Sequence, residues 1–366
     1  MGIKISSFTR MIFLGVWVLA VVTGCSKNSE PIPTTKTERT TIFPYLEAQI
    51  DSTNNTLYCA SFQIAWDKIR KQIIKRDIQL QGNPLTAQRL NQQLLSAADI
   101  SSDSFVAEAG ALSQELVDRI NRELREKFNS QMQETVTIPQ GTSGQQRIAA
   151  YASLYKNLEF ISEFEKLANA LSFPANGSYT PVRAFGIETF SPTKHKDLSD
   201  QITIFDYRSD NDFILSLTSK SDNDEIILAK VKHGNNLLDT YQSVAKRIVK
   251  NNRSEICENE TLKIPKIDFN LTHNFSELEG KQLLNSGWDG WLIESAIQET
   301  RFKLDEKGAM LRSTGFMVFS KKEEAPAPGF RKFIFDKPFL ICLKQKTGKY
   351  PYFALWINNP ELMIRQ

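Results

Sequence analysis

Apolar side chains recur at helical spacing in four stretches of the chain. The clearest is 112–128, where Leu112, Leu116, Ile120 and Leu124 repeat at every fourth residue. This spacing puts the four side chains on one face of an amphipathic helix, with charged residues on the other. The same reasoning predicts helices over residues 61–76, 86–98 and 237–249.

The strand patterns lie mainly in the second half of the chain. Short apolar segments there alternate with polar positions and are separated by Asp, Asn and Ser turns, which is typical of antiparallel strands. Together with the earlier helices they predict an α+β fold around a large, mainly antiparallel sheet, closed by a C-terminal hydrophobic hairpin. The predicted strands are 149–155 (buried), 201–207, 213–218, 225–231 and 297–304, and the hairpin pairs Lys332–Leu343 with Tyr352–Asn358 across Thr347–Lys349.

The first 24 residues have the pattern of an export signal. Lys4 and Arg10 precede an apolar run at 11–22, which is shorter than the ~20 residues a helix needs to span a bilayer. The run ends in Val22-Thr23-Gly24-Cys25, which resembles a bacterial lipobox. That resemblance implies cleavage before Cys25 and lipid on its sulfur. The alternative is an ordinary signal peptide with an incidental cysteine.

The lipobox predicts an extracytoplasmic protein of the bacterial cell envelope, tethered to a membrane through Cys25. Two or more acyl chains anchor a protein stably, whereas one binds only marginally. Residues 25–41 are polar and rich in Pro and Thr, which predicts a flexible spacer. The folded domain is then expected to be 42–366.

Charge excludes one class of partner. The chain has 45 basic and 42 acidic residues, and removing residues 1–24 leaves 43 basic and 42 acidic, a net charge of +1. A nucleic-acid-binding domain is expected to be strongly basic, so no nucleic-acid partner is predicted.

Three cysteines remain beyond the predicted cleavage point, namely Cys59, Cys257 and Cys342. An odd number leaves at least one free thiol in an exported protein. Cys342 lies in an apolar strand, which favours a buried, inert thiol. A disulfide between Cys59 and Cys257 is possible, but nothing in the sequence selects it.

The sequence carries no recognised catalytic motif. It contains no nucleophile elbow, no zinc-protease motif, no P-loop and no dinucleotide fingerprint. The three histidines, His195, His233 and His273, are far apart in polar, loop-like segments. We therefore expect neither an enzyme nor a cofactor or metal site.

The C-terminal third carries motifs of a known family. Phe335–Leu340 (FDKPFL) is similar to a C-terminal strand of the serpins, the serine protease inhibitor family. Leu304-Asp305-Glu306-Lys307-Gly308 resembles the hinge that opens the reactive loop of that family. Ile264-Pro265-Lys266-Ile267 resembles another of its strands.

Two earlier segments extend the resemblance, and one departs from it. Leu154-Tyr155-Lys156-Asn157 and Arg119-Ile120-Asn121 resemble serpin segments in the right order. Tyr58–Ile64 matches only loosely, and the 62 residues from Tyr58 to Ile120 are fewer than in ordinary serpins. The resemblance implies a serpin-like fold whose N-terminal half is reduced. The alternative is an unrelated α+β domain.

The resemblance implies a reactive loop at about 309–332. In serpins a protease cuts this loop, and the freed segment inserts as a strand into the large sheet. Glu306 and Gly308 would form the hinge. Family spacing puts the cut between Lys322 and Glu323, or after Lys321, which would suit a trypsin-like enzyme. The alternate row that insertion would bury is uncharged: Ala309, Leu311, Ser313, Gly315, Met317 and Phe319.

Two functions therefore stay open. One is a protease inhibitor of the cell envelope that traps a trypsin-like serine protease, acting as a monomer. The other is a non-inhibitory serpin-fold protein, a surface binding or structural lipoprotein. The bulky Met310, Leu311 and Arg312 favour the second, because bulk in the hinge slows insertion. The uncharged row favours the first.

Overall fold

The helices form where the apolar periodicity predicts them. A computed structural model describes residues 34–128, 136, 147–175, 177–250, 253–311 and 330–366. All four predicted helices are confirmed in type, although the second ends at Gln92, because Gln93 adopts a left-handed conformation with φ of 51°. The helical elements are α1 (Ser61–Lys68), a π-helix (Ile69–Ile74), α2 (Leu85–Gln92), a 3-10 turn (Ala97–Asp99), α3 (Gln114–Phe128), α4 (Lys196–Ser199), α5 (Leu237–Lys250) and a final 3-10 turn (Pro360–Leu362).

The described residues contain more strands than the sequence predicted. Short strands with no clear alternation, such as β6 to β9, gave no period-2 signal. The strands are β1 (Thr40–Phe43), β2 (Asn55–Cys59), β3 (Phe105–Ala111), β4 (Ile148–Leu154), β5 (Lys156–Glu159), β6 (Glu165–Lys166), β7 (Leu171–Ala175), β8 (Ser178–Val182), β9 (Ala184–Ile187), β10 (Ile202–Ser209), β11 (Asp212–Leu217), β12 (Asp224–Lys230), β13 (Thr261–Pro265), β14 (Ile267–Asn274), β15 (Ile297–Asp305), β16 (Gly308–Leu311), β17 (Lys332–Ile334), β18 (Phe339–Gln345) and β19 (Phe353–Ile357).

The largest sheet confirms the α+β prediction. Its seven strands lie in the order β1-β2-β19-β18-β12-β11-β10, and every pair is antiparallel except β1 with β2. The main hydrophobic core packs against it. At its centre, β18 and β19 form the predicted C-terminal hairpin, in which every residue from Phe339 to Lys344 and from Phe353 to Ile357 is buried.

The hairpin starts later than predicted. The pattern suggested one strand from Lys332 to Leu343, but Lys332–Ile334 pairs with β13 in a different sheet, of order β17-β13-β9-β6. Pro338 stands between β17 and β18. Proline has no backbone N–H to donate to a ladder, so it separates the two strands.

A second sheet has the order β14-β15-β16-β5, and β4 runs directly into β5 and pairs with β3. The predicted buried strand at 149–155 is β4, but every residue in it is only half-buried. Its two faces contact different clusters: Ala149 and Tyr151 pack against the α3 cluster, and Ala152 and Leu154 against the main core.

The folded domain begins before residue 42. Thr40 and Thr41, assigned to the spacer, lie in β1. Upstream, the backbone N–H groups of Glu38 and Arg39 donate to the Glu361 carboxylate, at 2.7 and 3.0 Å. Thr35 hydrogen-bonds to the backbone of Asn270. This segment pairs through its backbone while its side chains stay at or near the surface. Its polar composition therefore resembled that of a flexible spacer.

Part of the stretch between Tyr58 and Ile120 packs in a second hydrophobic cluster, and other parts pack in the main core and against α3. It contains α1, the π-helix, α2, the 3-10 turn and β3. Trp66, Ile74, Leu80 and Leu90 form a second hydrophobic cluster with Phe275, Leu278 and Ala296 from beyond β14. No helix in the described ranges is long and apolar enough to cross a bilayer.

The three cysteines that the structure describes are all free. Cys59 and Cys342 are buried and Cys257 is exposed, so the possible Cys59–Cys257 disulfide is absent. Cys342 is fully buried, as expected. Burial raises the pKa of both Cys59 and Cys342, which makes them poor nucleophiles.

Candidate functional site

The site lies where β15 turns back into β16. Asp305 pairs with Gly308, Leu304 with Ala309 and Lys303 with Met310, so the two strands form a tight antiparallel hairpin. On its other side β16 pairs antiparallel with β5, from Gly308 opposite Glu159 to Leu311 opposite Lys156. The four residues of β16 are therefore a central strand between β15 and β5.

Gly308 permits this close packing. Its φ is 151°, in a region that residues with a side chain rarely adopt, and a Cβ there would lie 2.4 Å from the carbonyl oxygen of Leu158. Only glycine allows β5 to approach the start of β16 this closely.

The side chains of β16 alternate between two environments. Ala309 and Leu311 are buried, at 1% and 4% exposed, on the face that also carries Leu304. Met310 is half-buried on the opposite face, beside Lys303. Ala309 and Leu311 lie on the same face of the sheet as the alternate buried residues of β15, which include Gln298, Thr300 and Phe302.

The turn between β15 and β16 is held by a buried carboxylate. Glu306 is 4% exposed, is hydrogen-bonded by Lys266 and lies 3.3 Å from Lys166. Desolvation opposes its ionisation and is the largest single effect, but the hydrogen bonds and positive charges of Lys266 and Lys166, with a backbone hydrogen bond, together outweigh it, so the pKa of Glu306 lies below its usual value. Its stabilising contribution is therefore present at neutral pH and is lost as the pH falls through that lowered pKa.

The neighbouring strand is anchored by a buried polar network. Lys156, opposite Leu311, is 6% exposed, and its Nζ lies 2.9 Å from Asp224. Ser221 and Tyr352 donate to the same carboxylate at 2.7 and 3.0 Å. The network ties β5 to the large sheet. Lys156 lies in a predicted family motif, but only the tertiary structure supplies its partner.

The structure brings together four of the residues predicted for the loop and hinge, namely Glu306, Gly308, Ala309 and Leu311. The predicted loop of 309–332 is shorter at both ends, because Ala309–Leu311 lie in β16 and Lys332 in β17. Backbone pairing places Ala309–Leu311 in a strand beside β5 and Lys332 in a strand beside β13. The other predicted residues lie outside the described ranges: Cys25, Ser313, Gly315, Met317, Phe319, Lys321, Lys322 and Glu323.

The histidines pack against groups outside the β15–β16 hairpin. His195, expected in a loop, is buried at 4% exposed and contacts Glu165 at 3.2 Å. His233 and His273 pack edge-on against Trp356 and Phe275. Within the described ranges no three His, Cys, Asp or Glu side chains are grouped to hold a metal ion.

Gly308→Ala is expected to detach β16 from β5. The new Cβ meets the Leu158 carbonyl, and the backbone conformation adds about 1–3 kcal/mol of strain. Denaturant unfolding and hydrogen exchange of the β16 amides measure the two effects. Gly82→Ala is the matched control, since Gly82 has φ of 77° and nothing within 4 Å of its Cβ position. Equal losses in both variants would show that the contact with Leu158 is unimportant.

No family model and no curated protein sequence matches this chain. Solved structures with related architecture include Serpin48, a serpin of the insect Tenebrio molitor, at 12% identity and a TM-score of 0.47, covering 83% of this chain and 92% of that one. Human thyroxine-binding globulin in complex with its ligand is 11% identical with a TM-score of 0.47, and the match covers 84% of this chain and 92% of that one. Uncleaved ovalbumin is 12% identical with a TM-score of 0.47, and the match covers 84% of this chain and 94% of that one. Similarity at this level does not assign the chain to a family.

Proposed function

We propose that this protein is a serpin-like protease inhibitor of the bacterial cell envelope, without enzymatic activity of its own. A trypsin-like serine protease would cut the segment after β16, and the freed chain would extend β16 and trap the protease as a covalent acyl-enzyme. The protein would act as a monomer.

The position of β16 is the observation that supports insertion. The first residues of the proposed loop already form a strand with antiparallel partners on both sides. A strand that enters a sheet gains hydrogen bonds on both edges and buries one row of side chains. The row begun by Ala309 and Leu311 continues with Ser313, Gly315, Met317 and Phe319, none of which is charged.

The registers of β16 with β15 and with β5 predict which residues an extended β16 would pair with. Continuing the pairing with β15 would set Ser313 opposite Thr300, which is 3% exposed. Continuing the pairing with β5 would set Ser313 opposite Leu154 at the end of β4. The inserted strand would thus extend β16 between β15 and β4.

The proposed scissile bond follows Lys322, or Lys321 next to it. A lysine side chain fits proteases whose specificity pocket carries an acidic group. Incubation with trypsin followed by a denaturing gel tests this function directly. A complex that survives boiling supports inhibition, whereas cleavage alone contradicts it.

A non-inhibitory serpin-fold binding or structural lipoprotein is the second candidate. One observation favours it. Continuing the register of β15 and β16 would place Arg312 opposite Arg301, and like charges directly opposite destabilise a pair of strands. Arg301 is largely buried against Asp268, with its side chain 12% exposed. This repulsion would slow insertion and turn an inhibitor into a substrate.

The lipobox-like sequence supports a lipid anchor on Cys25. Cys25→Ala is expected to abolish partitioning of the exported protein into detergent, because no sulfur remains to carry the lipid. Phase separation with a nonionic detergent, followed by immunoblotting, measures the effect. Cys257→Ala, which removes the one exposed described thiol, serves as the control. A Cys25→Ala variant that still enters the detergent phase would refute the anchor.

A further inference from the structure

The buried row of β15 changes from apolar to polar along the strand. Leu304 and Phe302 are fully buried near the hinge, and Thr300 and Gln298 are each 3% exposed further from it. The four side chains lie on one face of the sheet, because they alternate along a single strand. Two hydrogen-bonding side chains are therefore buried in a row that begins as apolar.

The amide of Gln298 is only half satisfied. Its Nε2 donates to the Thr300 Oγ1 at 3.1 Å. Its Oε1 is buried, and no described residue donates a hydrogen bond to it. Buried polar groups nearly always have a hydrogen-bond partner, because a buried acceptor without one raises the free energy of the fold. The unpaired oxygen of Gln298 therefore calls for an explanation.

The neighbouring strand β14 does not supply the donor. It sets Leu271 opposite Thr300 and His273 opposite Gln298. A leucine side chain has no hydrogen-bonding group, and the His273 ring packs edge-on against Phe275, with centroids 4.8 Å apart. The other edge of β15 at this point is the one that an extended β16 would pair with.

The row that an extended β16 would bury matches the row of β15 position by position. The opposed pairs are Leu304–Ala309 in the observed hairpin, then Phe302–Leu311, Thr300–Ser313 and Gln298–Gly315 in the continued register. Apolar residues are thus set against apolar residues, and a hydroxyl against a hydroxyl. The residue without a side chain is set against the long glutamine.

Ser313 would lie within reach of the unpaired oxygen. The hydrogen bond to Thr300 holds the Gln298 amide beside the position that Ser313 would face. Directly opposed residues of antiparallel strands have Cβ atoms about 4.5–5.5 Å apart, and diagonal neighbours remain within reach of long side chains. On the β4 side the continued register supplies Leu154 and Ala152, whose side chains have no donor. Ser313 is the one residue of the inserted row with a side-chain donor.

We propose that Gln298 is a positioning residue for strand insertion, and that its Oε1 accepts the hydroxyl of Ser313 and fixes the register of the inserted strand. This inference rests on the proposed function. A slip by one residue would turn the row to the other face of the sheet. A slip by two would set Ser313 against the Phe302 ring or Leu311 against Thr300.

The same contact favours insertion energetically. Before cleavage the buried acceptor of Gln298 has no described donor, whereas the inserted strand would supply one. Pairing a buried acceptor lowers the free energy of the inserted form relative to the intact form. Gln298 would therefore destabilise the intact protein slightly and stabilise the cleaved one.

A double-mutant cycle, measured in both the intact and the cleaved protein, tests this contact. Gln298→Met keeps the side-chain length without its polar atoms, and Ser313→Ala removes the hydroxyl. In the intact protein Gln298→Met should leave the melting temperature unchanged or raise it. In the cleaved protein each single variant should lower it by about 2–4 °C, and the double variant by no more than either. Ser313→Thr, which keeps the hydroxyl, should behave as the parent does.

Thermal unfolding before and after limited proteolysis, at one fixed guanidinium concentration, gives these values. Thr314→Ala is the matched control, because the continued register sets residue 314 on the exposed face opposite Glu299. Its effect should add to that of Gln298→Met. Equal shifts in intact and cleaved Gln298→Met would overturn the proposal, since a purely structural role moves both forms together. Additive losses with Ser313→Ala would overturn it too.

Trapping of trypsin is scored separately on the denaturing gel. If cleavage raises the melting temperature without a covalent complex, inhibition is refuted and the cycle still decides the role of Gln298. If cleavage raises it and the cycle shows no coupling, insertion stands and the role of Gln298 is refuted. If cleavage does not raise the melting temperature at all, insertion is refuted together with this proposal.

Discussion

Trypsin is expected to form a complex with this protein that survives boiling in detergent. Attack on the bond after Lys322 or Lys321 gives an acyl-enzyme, and insertion of the freed strand distorts the protease before water can release it. The gel should show a band at the summed mass of trypsin and the part of this protein before the cut, together with a small C-terminal fragment. Mass spectrometry of that fragment identifies the bond.

The cleaved protein is also expected to melt at a markedly higher temperature than the intact one. An extended β16 would add backbone hydrogen bonds on both edges and bury Met317 and Phe319 beside Leu311. Calorimetry of samples before and after limited proteolysis measures the change. Cleavage near Lys322 with neither a complex nor a rise in melting temperature would leave the non-inhibitory binding module as the better function.

One substitution separates insertion from cleavage. In the continued register Ser313 faces Thr300 on the buried side, so Ser313→Arg would place a charge there at a cost of several kcal/mol. Ser313→Glu makes the same test without adding a trypsin site. Both should be cut without trapping. Thr314→Arg and Thr314→Glu are the controls, because the continued register sets residue 314 opposite the exposed Glu299. Equal trapping by the variants at both positions would refute the proposed register.

Phe339→Ala is expected to destabilise the whole domain by about 3–5 kcal/mol. Phe339 is fully buried where β18 begins, 5.0 Å from the Phe335 ring and 6.3 Å from the Phe173 ring, centroid to centroid. Removing it leaves a cavity between the large sheet and the β7–β8 hairpin, and tightly packed interiors relax only partly.

Denaturant unfolding followed by fluorescence and circular dichroism measures this loss. Phe330→Ala is the matched control, because its ring is 49% exposed and its removal should change the free energy of unfolding by no more than about 0.5 kcal/mol. A loss below about 1 kcal/mol at Phe339 would mean that the C-terminal hairpin is not a central part of the core.

Local patterns were sufficient for the elements that carry a strong period. The fourfold repeat from Leu112 to Leu124 predicted α3, and alternation predicted β10, β11, β12 and β15 with errors of one or two residues. The apolar segments at 332–343 and 352–358 predicted the C-terminal hairpin, although its first strand begins only at Phe339. In these segments the order of apolar and polar residues indicates directly which face is buried.

The hinge was predicted from a motif, but its conformation was not. Nothing in the order of residues 308–311 distinguishes the start of an exposed loop from a central strand. Whether residues 308–311 form a strand depends on their pairing with β5, which lies about 150 residues earlier in the chain and whose backbone approaches Gly308. Backbone pairing over such a distance leaves no local pattern.

The sequence by itself predicted an export signal and determined the near-neutral net charge and the segments with strong periodicity, because these depend only on composition or on neighbouring residues. Only the tertiary structure decided which groups pair across the fold. It joined Glu306 to Lys266 and Lys156 to Asp224, and placed Thr35 beside Asn270. These contacts depend on chain closure between distant segments, and the free energy of that closure comes from the core as a whole.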